Sequence, residues 1–323
     1  MRTTLASALA LAVLLGGAAP ASAQQHPTRT LSRPGPVVSL GLTGASVAFA
    51  VGRTARDCDH VELWNADART LVRFGPRKRC GDLPVLAGIG SIGVATSRVV
   101  WVTYAGGNLT DWQLWTATKS KRTPRRIAFV ERDTSDPAPI VVGQGTPDAV
   151  PYAIDNEITL LRDNGTAAFR WTAPAPVRAL TSGAGPYGWT VAALLANGEV
   201  VVLDAAGGEV QRLAFSPGNV RWIGLAAAGL LVQTAGAKVE VHRGAATQTL
   251  QLPANAIVLD AARNALLYRV GQSFSLRDLV SGADTPLLRG SAKHPILAAL
   301  DEHGLAWARA TSLSWACAAC IGS

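Results

Sequence analysis

Two basic runs are the most conspicuous groups of chemistry-bearing residues in this sequence. Both combine guanidinium and ammonium groups, which attract anionic polymers. Nucleic-acid recognition usually adds stacking aromatic residues or a groove-reading helix, and neither run has one. We therefore expect contact with a protein or an anionic polymer and no nucleic acid, with a solvated hairpin tip as the alternative for the second run. The residues are Arg77, Lys78 and Arg79 in the first run and Lys119, Lys121, Arg122, Arg125 and Arg126 in the second.

Three compact acidic groups carry the residue types of ligand or cation sites. Asp57–His60 and Asp301–His303 combine carboxylates with an imidazole, the ligands that metal ions use. Asp133 and Asp136 precede two prolines in a connecting loop, where they could hold a ligand. Ordinary turn residues explain all three groups, because Asp, His and Pro are common in turns. We therefore predict no metal site and keep Asp133 and Asp136 as candidate binding residues.

No catalytic motif accompanies these groups. Gly88, Gly90 and Gly93 match G-x-G-x-x-G, but the strand-like sequence VATSRVVWV follows where a dinucleotide site needs a helix. Close packing of strands is the better explanation of these glycines. A G-x-S-x-G nucleophile motif is absent, and the five histidines have no triad context. No cofactor is predicted.

The elements that position these residues are β-strands. No segment sustains a period of 3.6 residues, and Gly or Pro interrupts the chain about every ten residues, as in all-β folds. Hairpins recur, each with alternating or β-branched strands around a tip rich in Asp, Asn, Gly or Ala. The clearest hairpins are Val61–Leu71, Ile158–Phe169, Val200–Leu213, Val239–Leu250 and Phe274–Leu287.

The spacing of the strands predicts a seven-bladed β-propeller. An apolar strand pair precedes each hairpin, and the inner strands recur about every 37 to 53 residues, close to the roughly 40–50 residues of propeller blades. The last unit supplies three strands, and Thr28–Ser32 is the candidate for its missing outer strand. A propeller of six or eight blades, a two-sheet sandwich and a β-solenoid are the alternatives. The inner strands are predicted to begin near Val37, Gly90, Pro139, Val177, Val220, Ile257 and Pro295.

Two pairs of phrases resemble the blades of secreted bacterial β-propellers, the broad TolB-like, WD40-like and YVTN-like group. The phrases are LTGASVAFAVG (42–52) with VELWNADARTLVRF (61–74), and LDAARNALLYRVG (259–271) with FSLRDLVSGADTPLL (274–288). The Ser-Pro-Asp-Gly turn of TolB-like blades and a regular Trp-Asp ending are absent. The resemblance implies the fold and a role in binding other macromolecules, and it assigns no functional residue.

Composition and the amino terminus point to an exported protein. The chain has 323 residues, of which 16% are charged, so it is neither a disordered polyelectrolyte nor a coiled coil. Residues 1–23 combine Arg2, the apolar run Leu5–Leu15 and Ala21-Ser22-Ala23, the pattern of a cleaved signal peptide. A membrane anchor is the alternative. Cleavage removes Arg2, lowers the net charge from +8 to +7 and leaves no membrane span in the propeller domain, residues 24–323.

Exported cysteines are usually oxidised, and the four here allow three pairings. In a propeller, Cys58 and Cys80 fall on the same rim, which favours a disulfide bond between them. Cys317 and Cys320 form a C-x-x-C without the following His of a haem site, so a local disulfide is the simplest interpretation.

The sequence thus predicts an extracytoplasmic, non-enzymatic β-propeller of a bacterium that binds a protein or an anionic envelope polymer through one rim. The alternative is an enzyme whose active site lies in the central funnel, because residues from different blades leave no motif in the sequence.

Overall fold

The chain folds as β-structure throughout the residues that the computed structural model describes, 28–75 and 86–317. Within those ranges 28 strands form seven antiparallel sheets of four strands each, which confirms the seven-bladed β-propeller. No helix in this part of the chain is long and apolar enough to cross a bilayer.

Each blade contains four consecutive strands, called A to D from the innermost outward, except blade 7, whose D strand is β1. Blade 1 is β2 (Val37–Thr43), β3 (Ser46–Val51), β4 (His60–Asn65) and β5 (Thr70–Arg73); blade 2 is β6 (Leu86–Val94), β7 (Arg98–Gly106), β8 (Leu109–Thr118) and β9 (Arg125–Asp133). Blade 3 is β10 (Ile140–Val142), β11 (Ala149–Ile154), β12 (Glu157–Arg162) and β13 (Ala167–Thr172); blade 4 is β14 (Val177–Gly185), β15 (Gly188–Leu195), β16 (Glu199–Asp204) and β17 (Glu209–Ala214). Blade 5 is β18 (Trp222–Ala226), β19 (Gly229–Gln233), β20 (Lys238–Arg243) and β21 (Ala246–Gln251); blade 6 is β22 (Ala256–Ala262), β23 (Ala265–Val270), β24 (Ser273–Asp278) and β25 (Asp284–Arg289). Blade 7 is β26 (Ile296–Leu300), β27 (Gly304–Arg309), β28 (Ser312–Cys317) and β1 (Arg29–Ser32).

The strand sequences fit these positions. B strands such as β3 (SVAFAV) are apolar on both faces, and all six residues of β3 are buried because neighbouring blades cover both sides of the sheet. D strands such as β9 (RRIAFVERD) are exposed or partly buried at every position, since they form the outer edge of a blade, which faces water. Seven apolar clusters result, and each joins the facing sheets of two neighbouring blades.

The ring closes through the amino-terminal strand, as predicted. Strand β1 pairs antiparallel with β28, with Arg29 opposite Trp315 and Ser32 opposite Ser312. The Leu31 side chain packs against the apolar cluster that joins blade 7 to blade 1. The innermost strands are also in contact around the ring, including β26 of blade 7 with β2 of blade 1.

The second inner strand begins at Leu86, four residues before the predicted start at Gly90, while the other six begin within two residues of prediction. This strand carries its glycines inside the sheet, as close strand packing predicts, and has an irregular register between Ile89 and Ile92. A Cβ on Gly93 would lie 2.4 Å from the carbonyl oxygen of Gly143 in blade 3, which confirms that close strand packing needs this glycine.

Asp163 connects blade 3 to blade 2. Its Oδ1 accepts hydrogen bonds from the backbone N–H groups of Ser97 (2.9 Å) and Arg98 (2.8 Å), and Oδ2 accepts one from Ser97 Oγ (2.6 Å). The nearly buried Arg98 guanidinium donates through Nε to the Asp163 backbone oxygen at 3.0 Å. Burial lowers the pKa of Arg98, and the Asp163 charge opposes that shift. The carboxylate therefore satisfies donors that water reaches poorly.

The substitution Asp163→Ala is expected to lower the free energy of unfolding by about 2 kcal/mol, since it leaves two backbone donors and a nearly buried cation without their carboxylate. Urea unfolding followed by tryptophan fluorescence measures the change. Asp148→Ala removes an exposed carboxylate from the adjoining turn and is expected to change stability by less than about 0.5 kcal/mol. Equal effects of the two substitutions would contradict the role given to Asp163.

Candidate functional site

The antiparallel blades present two faces with different connections. Because successive strands alternate in direction, the A–B and C–D turns lie on one face, called here the A–B face. The B–C turns and the D–A connections between blades lie on the other, called here the D–A face. The strand direction therefore determines on which face each candidate binding residue lies.

The second basic run lies on the A–B face. Lys119, Lys121 and Arg122 occupy the C–D turn of blade 2, and Arg125 and Arg126 begin β9. The Thr118 N–H donates to the Lys121 backbone oxygen at 3.1 Å, which closes the turn. The second run therefore forms a hairpin tip at the surface, which is the alternative that the sequence analysis gave for it. The first run, Arg77–Arg79, lies outside the described residues.

Asp133 and Asp136 lie on the D–A face, between blades 2 and 3, so the structure does not bring them together with the second basic run. Asp133 Oδ1 accepts hydrogen bonds from the Ser135 N–H (2.9 Å) and Oγ (2.7 Å). The backbone hydrogen bond from Ser135 contributes most to lowering the pKa of Asp133 below its ordinary value. This carboxylate stabilises its own turn.

The two acid/His groups lie on opposite faces. Asp57–His60 belongs to the B–C connection of blade 1, and Asp301–His303 to the A–B turn of blade 7. Asp301 accepts hydrogen bonds from the N–H groups of Gly44, His303 and Gly304, so it joins blade 7 to blade 1. In the described ranges no three His, Cys, Asp or Glu side chains form a group that could hold a metal ion.

Neither Cys58 nor Cys317 is a free thiol. Cys80 and Cys320 lie outside the described residues, so the predicted pairings stay predictions.

The central channel is narrow at the A–B face. Gln144 of blade 3 donates through Nε2 to the Leu300 carbonyl oxygen of blade 7 at 2.6 Å, although these blades face each other across the ring. Ser182 Oγ donates to the Gln144 backbone oxygen at 2.5 Å. The remaining cavity measures about 20 Å³, room for roughly one water molecule. Ligand pockets usually measure about 300–1,000 Å³, so the channel at this mouth is narrow by comparison.

Two carboxylates with raised pKa values border the channel. Asp260 Oδ1 accepts from the Ala261 N–H (2.9 Å), and Oδ2 accepts from the Leu300 N–H of blade 7 (2.8 Å). Burial raises the pKa of Asp260 to about 7, and the nearby charge of Asp301 acts in the same direction. Burial also raises the pKa of Asp301. These carboxylates join blades, and their backbone donors leave them little freedom to meet a ligand.

The D–A face of blades 5 to 7 carries a set of cations that the sequence analysis missed. They come one or two at a time from strand ends and connections, so no run marks them in the sequence. We call this set the basic arc: Arg221, Lys238, Arg269, Arg289, Lys293 and Arg309. Arg269 is partly buried and the other five are exposed. None of the six forms an ion pair with another residue of the described chain.

The acidic side chains of the same three blades avoid that face. Asp278, Asp284, Asp301 and Glu302 lie at turns of the A–B face. The two remaining acidic residues from 220 to 317 are Asp260 beside the channel and Glu240 within β20, whose Oε2 lies 3.0 Å from His242 Nε2. The D–A face of blades 2 to 4 differs, because it carries Asp133, Asp136, Asp155, Glu157 and Glu199. Strand direction therefore concentrates uncompensated positive charge on one half of one face.

Comparisons with known proteins agree with this architecture. No family model and no curated protein matches the sequence. The chain is similar in structure to Raptor from Chaetomium thermophilum, with 16% identity and a TM-score of 0.54 over 92% of this chain and 29% of the Raptor chain, so it spans less than a third of that protein. It is also similar to a chain of a mitotic checkpoint complex, with 14% identity and a TM-score of 0.55 over 98% of this chain and 99% of the other. Likeness at this identity shows the fold alone, which is a seven-bladed β-propeller.

Proposed function

We propose that this protein is a non-enzymatic binding module that holds an anionic polymer on the basic arc. The observation that carries the proposal is the concentration of six cations, which form no ion pair within the described residues, on a surface from which the acidic residues of the same blades are absent. Such a field attracts a polyanion over several contacts at once.

The remaining surfaces support this assignment over the enzymatic alternative and over a protein partner. The channel mouth, with a cavity of about 20 Å³, is narrow compared with ordinary ligand pockets. Protein interfaces are enriched in aromatic side chains at their core. The exposed aromatic residues of the described chain lie away from the arc, with Phe129 in blade 2 and Tyr187 and Trp189 in the A–B hairpin of blade 4.

We also propose that the protein is exported from the cytoplasm. The leader at residues 1–23 and the even number of cysteines support a site of action outside the cytoplasm, where envelope polymers with acidic groups are the candidate partners. Mass spectrometry of the protein from the culture medium or the cell envelope is expected to find Gln24 at the mature amino terminus. Recovery of the full-length chain from the cytoplasm alone would contradict export.

The arc is tested by removing three of its charges. The triple substitution Arg221→Gln, Arg289→Gln and Lys293→Gln is expected to weaken binding to polygalacturonate, an acidic polysaccharide, by about thirtyfold. This corresponds to about 2 kcal/mol for three exposed charge contacts. Calorimetry at two salt concentrations measures the affinity, which is expected to fall as salt rises because exposed charges are screened.

The matched control removes the same charge from the other face. Lys119→Gln, Lys121→Gln and Arg122→Gln lower the net charge equally but lie in the C–D turn of blade 2. We expect this triple variant to bind within about twofold of the parent. An equal loss in both triples would mean that only net charge matters. Failure of the parent to bind polygalacturonate would favour a protein partner.

A further inference from the structure

A pocket of about 500 Å³ opens on the D–A face beside the basic arc. It lies in blade 1 where blade 7 adjoins it, and we call it the blade-1 pocket. The Arg33 N–H donates to the Thr311 carbonyl oxygen at 2.8 Å, two residues beyond Arg309 of the arc. The pocket therefore adjoins the arc. Its polar lining consists of Arg33, Thr54, Arg56, Asp57, His60 and Arg73.

The wall of the pocket is fixed by a buried carboxylate. Glu62, with a side chain only 2% exposed, accepts a hydrogen bond from Arg33 Nη2 at 2.5 Å, and its Oε1 lies 3.2 Å from His60 Nε2. His60 Nδ1 lies 2.8 Å from the Cys58 carbonyl oxygen. These contacts hold the Arg33 and His60 side chains in one arrangement before any ligand arrives. Arg33 Nε is buried, with no hydrogen-bond partner in the described chain.

The pocket keeps an excess of positive charge. Arg73 donates to both oxygens of Asp57, at 2.5 and 2.8 Å, so these charges offset each other. Glu62 offsets Arg33 in the same way. Arg56 is exposed and forms no ion pair within the described ranges. Its backbone is held by the Thr54 hydroxyl at 3.3 Å, and the bridge between Thr54 and Asp57 closes the loop around it.

We propose that the blade-1 pocket binds one hexuronic acid unit of an acidic polysaccharide, with the exposed Arg56 guanidinium holding its carboxylate. A guanidinium fork matches a planar carboxylate, and its hydrogen bonds to that group are charge-assisted. A volume of about 500 Å³ is far larger than an inorganic ion needs and lies in the usual range of small-molecule pockets. The sugar ring fills this volume, and the Thr54 hydroxyl in the pocket wall forms a hydrogen bond with a hydroxyl group of the sugar. This inference rests on the proposed function, for which it names the repeating unit that is recognised.

Digalacturonate, which is too short to cover the arc, tests the pocket directly by titration calorimetry. The Arg56→Ala substitution is expected to weaken its binding about tenfold, the loss of one hydrogen bond between charged groups. Arg56 is exposed, so its removal leaves the fold intact. Arg243→Ala, an exposed cation at the C–D turn of blade 5 on the A–B face, is the matched control and is expected to bind within about twofold of the parent.

The outcomes separate the pocket from the arc. If polygalacturonate binds in an arc-dependent way but digalacturonate does not bind, the pocket inference is wrong and the proposed function stands. If neither probe binds, both fail. Neutral digalactose binding as tightly as digalacturonate, or galactose 1-phosphate binding more tightly, would overturn recognition of the carboxylate. An arc triple variant that binds digalacturonate normally, together with weak binding by Arg56→Ala, would support the pocket as a separate subsite.

Discussion

A chain that begins at Arg33 is expected to lose its cooperative unfolding transition and to aggregate. Such a chain lacks β1, so the backbone of β28 becomes an open sheet edge and the Leu31 side chain leaves its cluster. Four residues of ladder hydrogen bonds and one partly buried leucine together contribute about 5 kcal/mol. That is comparable with the whole stability of an ordinary domain, roughly 5–15 kcal/mol. Calorimetry and size-exclusion chromatography measure the two effects.

The comparison chain begins at Gln25 and keeps β1 complete. It is expected to unfold at the same temperature as a chain that begins at Gln24. If the chain starting at Arg33 also unfolds at that temperature and stays monomeric, the amino-terminal strand does not close the ring in solution. An exposed strand edge can pair with the edges of other chains, which explains aggregation of the chain that lacks β1. If the chain that begins at Gln25 also aggregated, the cause would lie elsewhere, because that chain keeps β1.

The stability of the protein is expected to fall by about 3 kcal/mol between pH 4 and pH 7, through Asp260. In the unfolded chain this carboxyl ionises at its ordinary pKa near 4, whereas burial raises its folded pKa to about 7. The folded state therefore binds more protons in this window, and stability decreases as pH rises and becomes level above pH 7. A shift of three units corresponds to at most about 4 kcal/mol, and we lower that figure because the adjoining channel admits water.

The Asp260→Asn variant isolates this effect. Its amide does not titrate, so the fall in stability between pH 4 and pH 7 is expected to become much smaller. The amide keeps one acceptor for the Ala261 or Leu300 N–H, so the variant is not expected to unfold. Urea unfolding at pH 4, 5, 6, 7 and 8 gives the comparison. The raised pKa of Asp301 acts in the same direction as that of Asp260 and accounts for the smaller fall that remains in the variant. The carboxyls of Asp133, Asp278 and Asp284 have lowered pKa values and act below this range. Parallel pH curves for the parent and the variant would show that Asp260 does not carry the dependence.

The sequence predicted only one of the two groups of cations described above. Lys119–Arg126 is a continuous basic run and was easy to find, yet it occupies one hairpin tip on the A–B face. Arg221, Arg289 and Arg309 are separated by many residues in the chain. They meet on the D–A face because Arg289 and Arg309 end strands that run to that face, and Arg221 directly precedes a strand that starts there. Successive strands of a blade alternate in direction, so each predicted strand end can be assigned to one of the two faces. Assigning the cations in this way would have identified the basic arc from the sequence.

Pattern alone indicated the all-β class, favoured seven blades over six or eight, and pointed to the closing role of Thr28–Ser32. Alternating burial, turn residues and repeat spacing are local properties, and a three-stranded last unit left one strand to be supplied from elsewhere. The tertiary structure decided the rest. Glu62 became the buried support of Arg33, Gln144 closed the channel against Leu300, and cations from three blades came to share one face. These contacts join residues that are far apart in the chain, and their distances follow from how the blades pack around the axis, which no local pattern encodes.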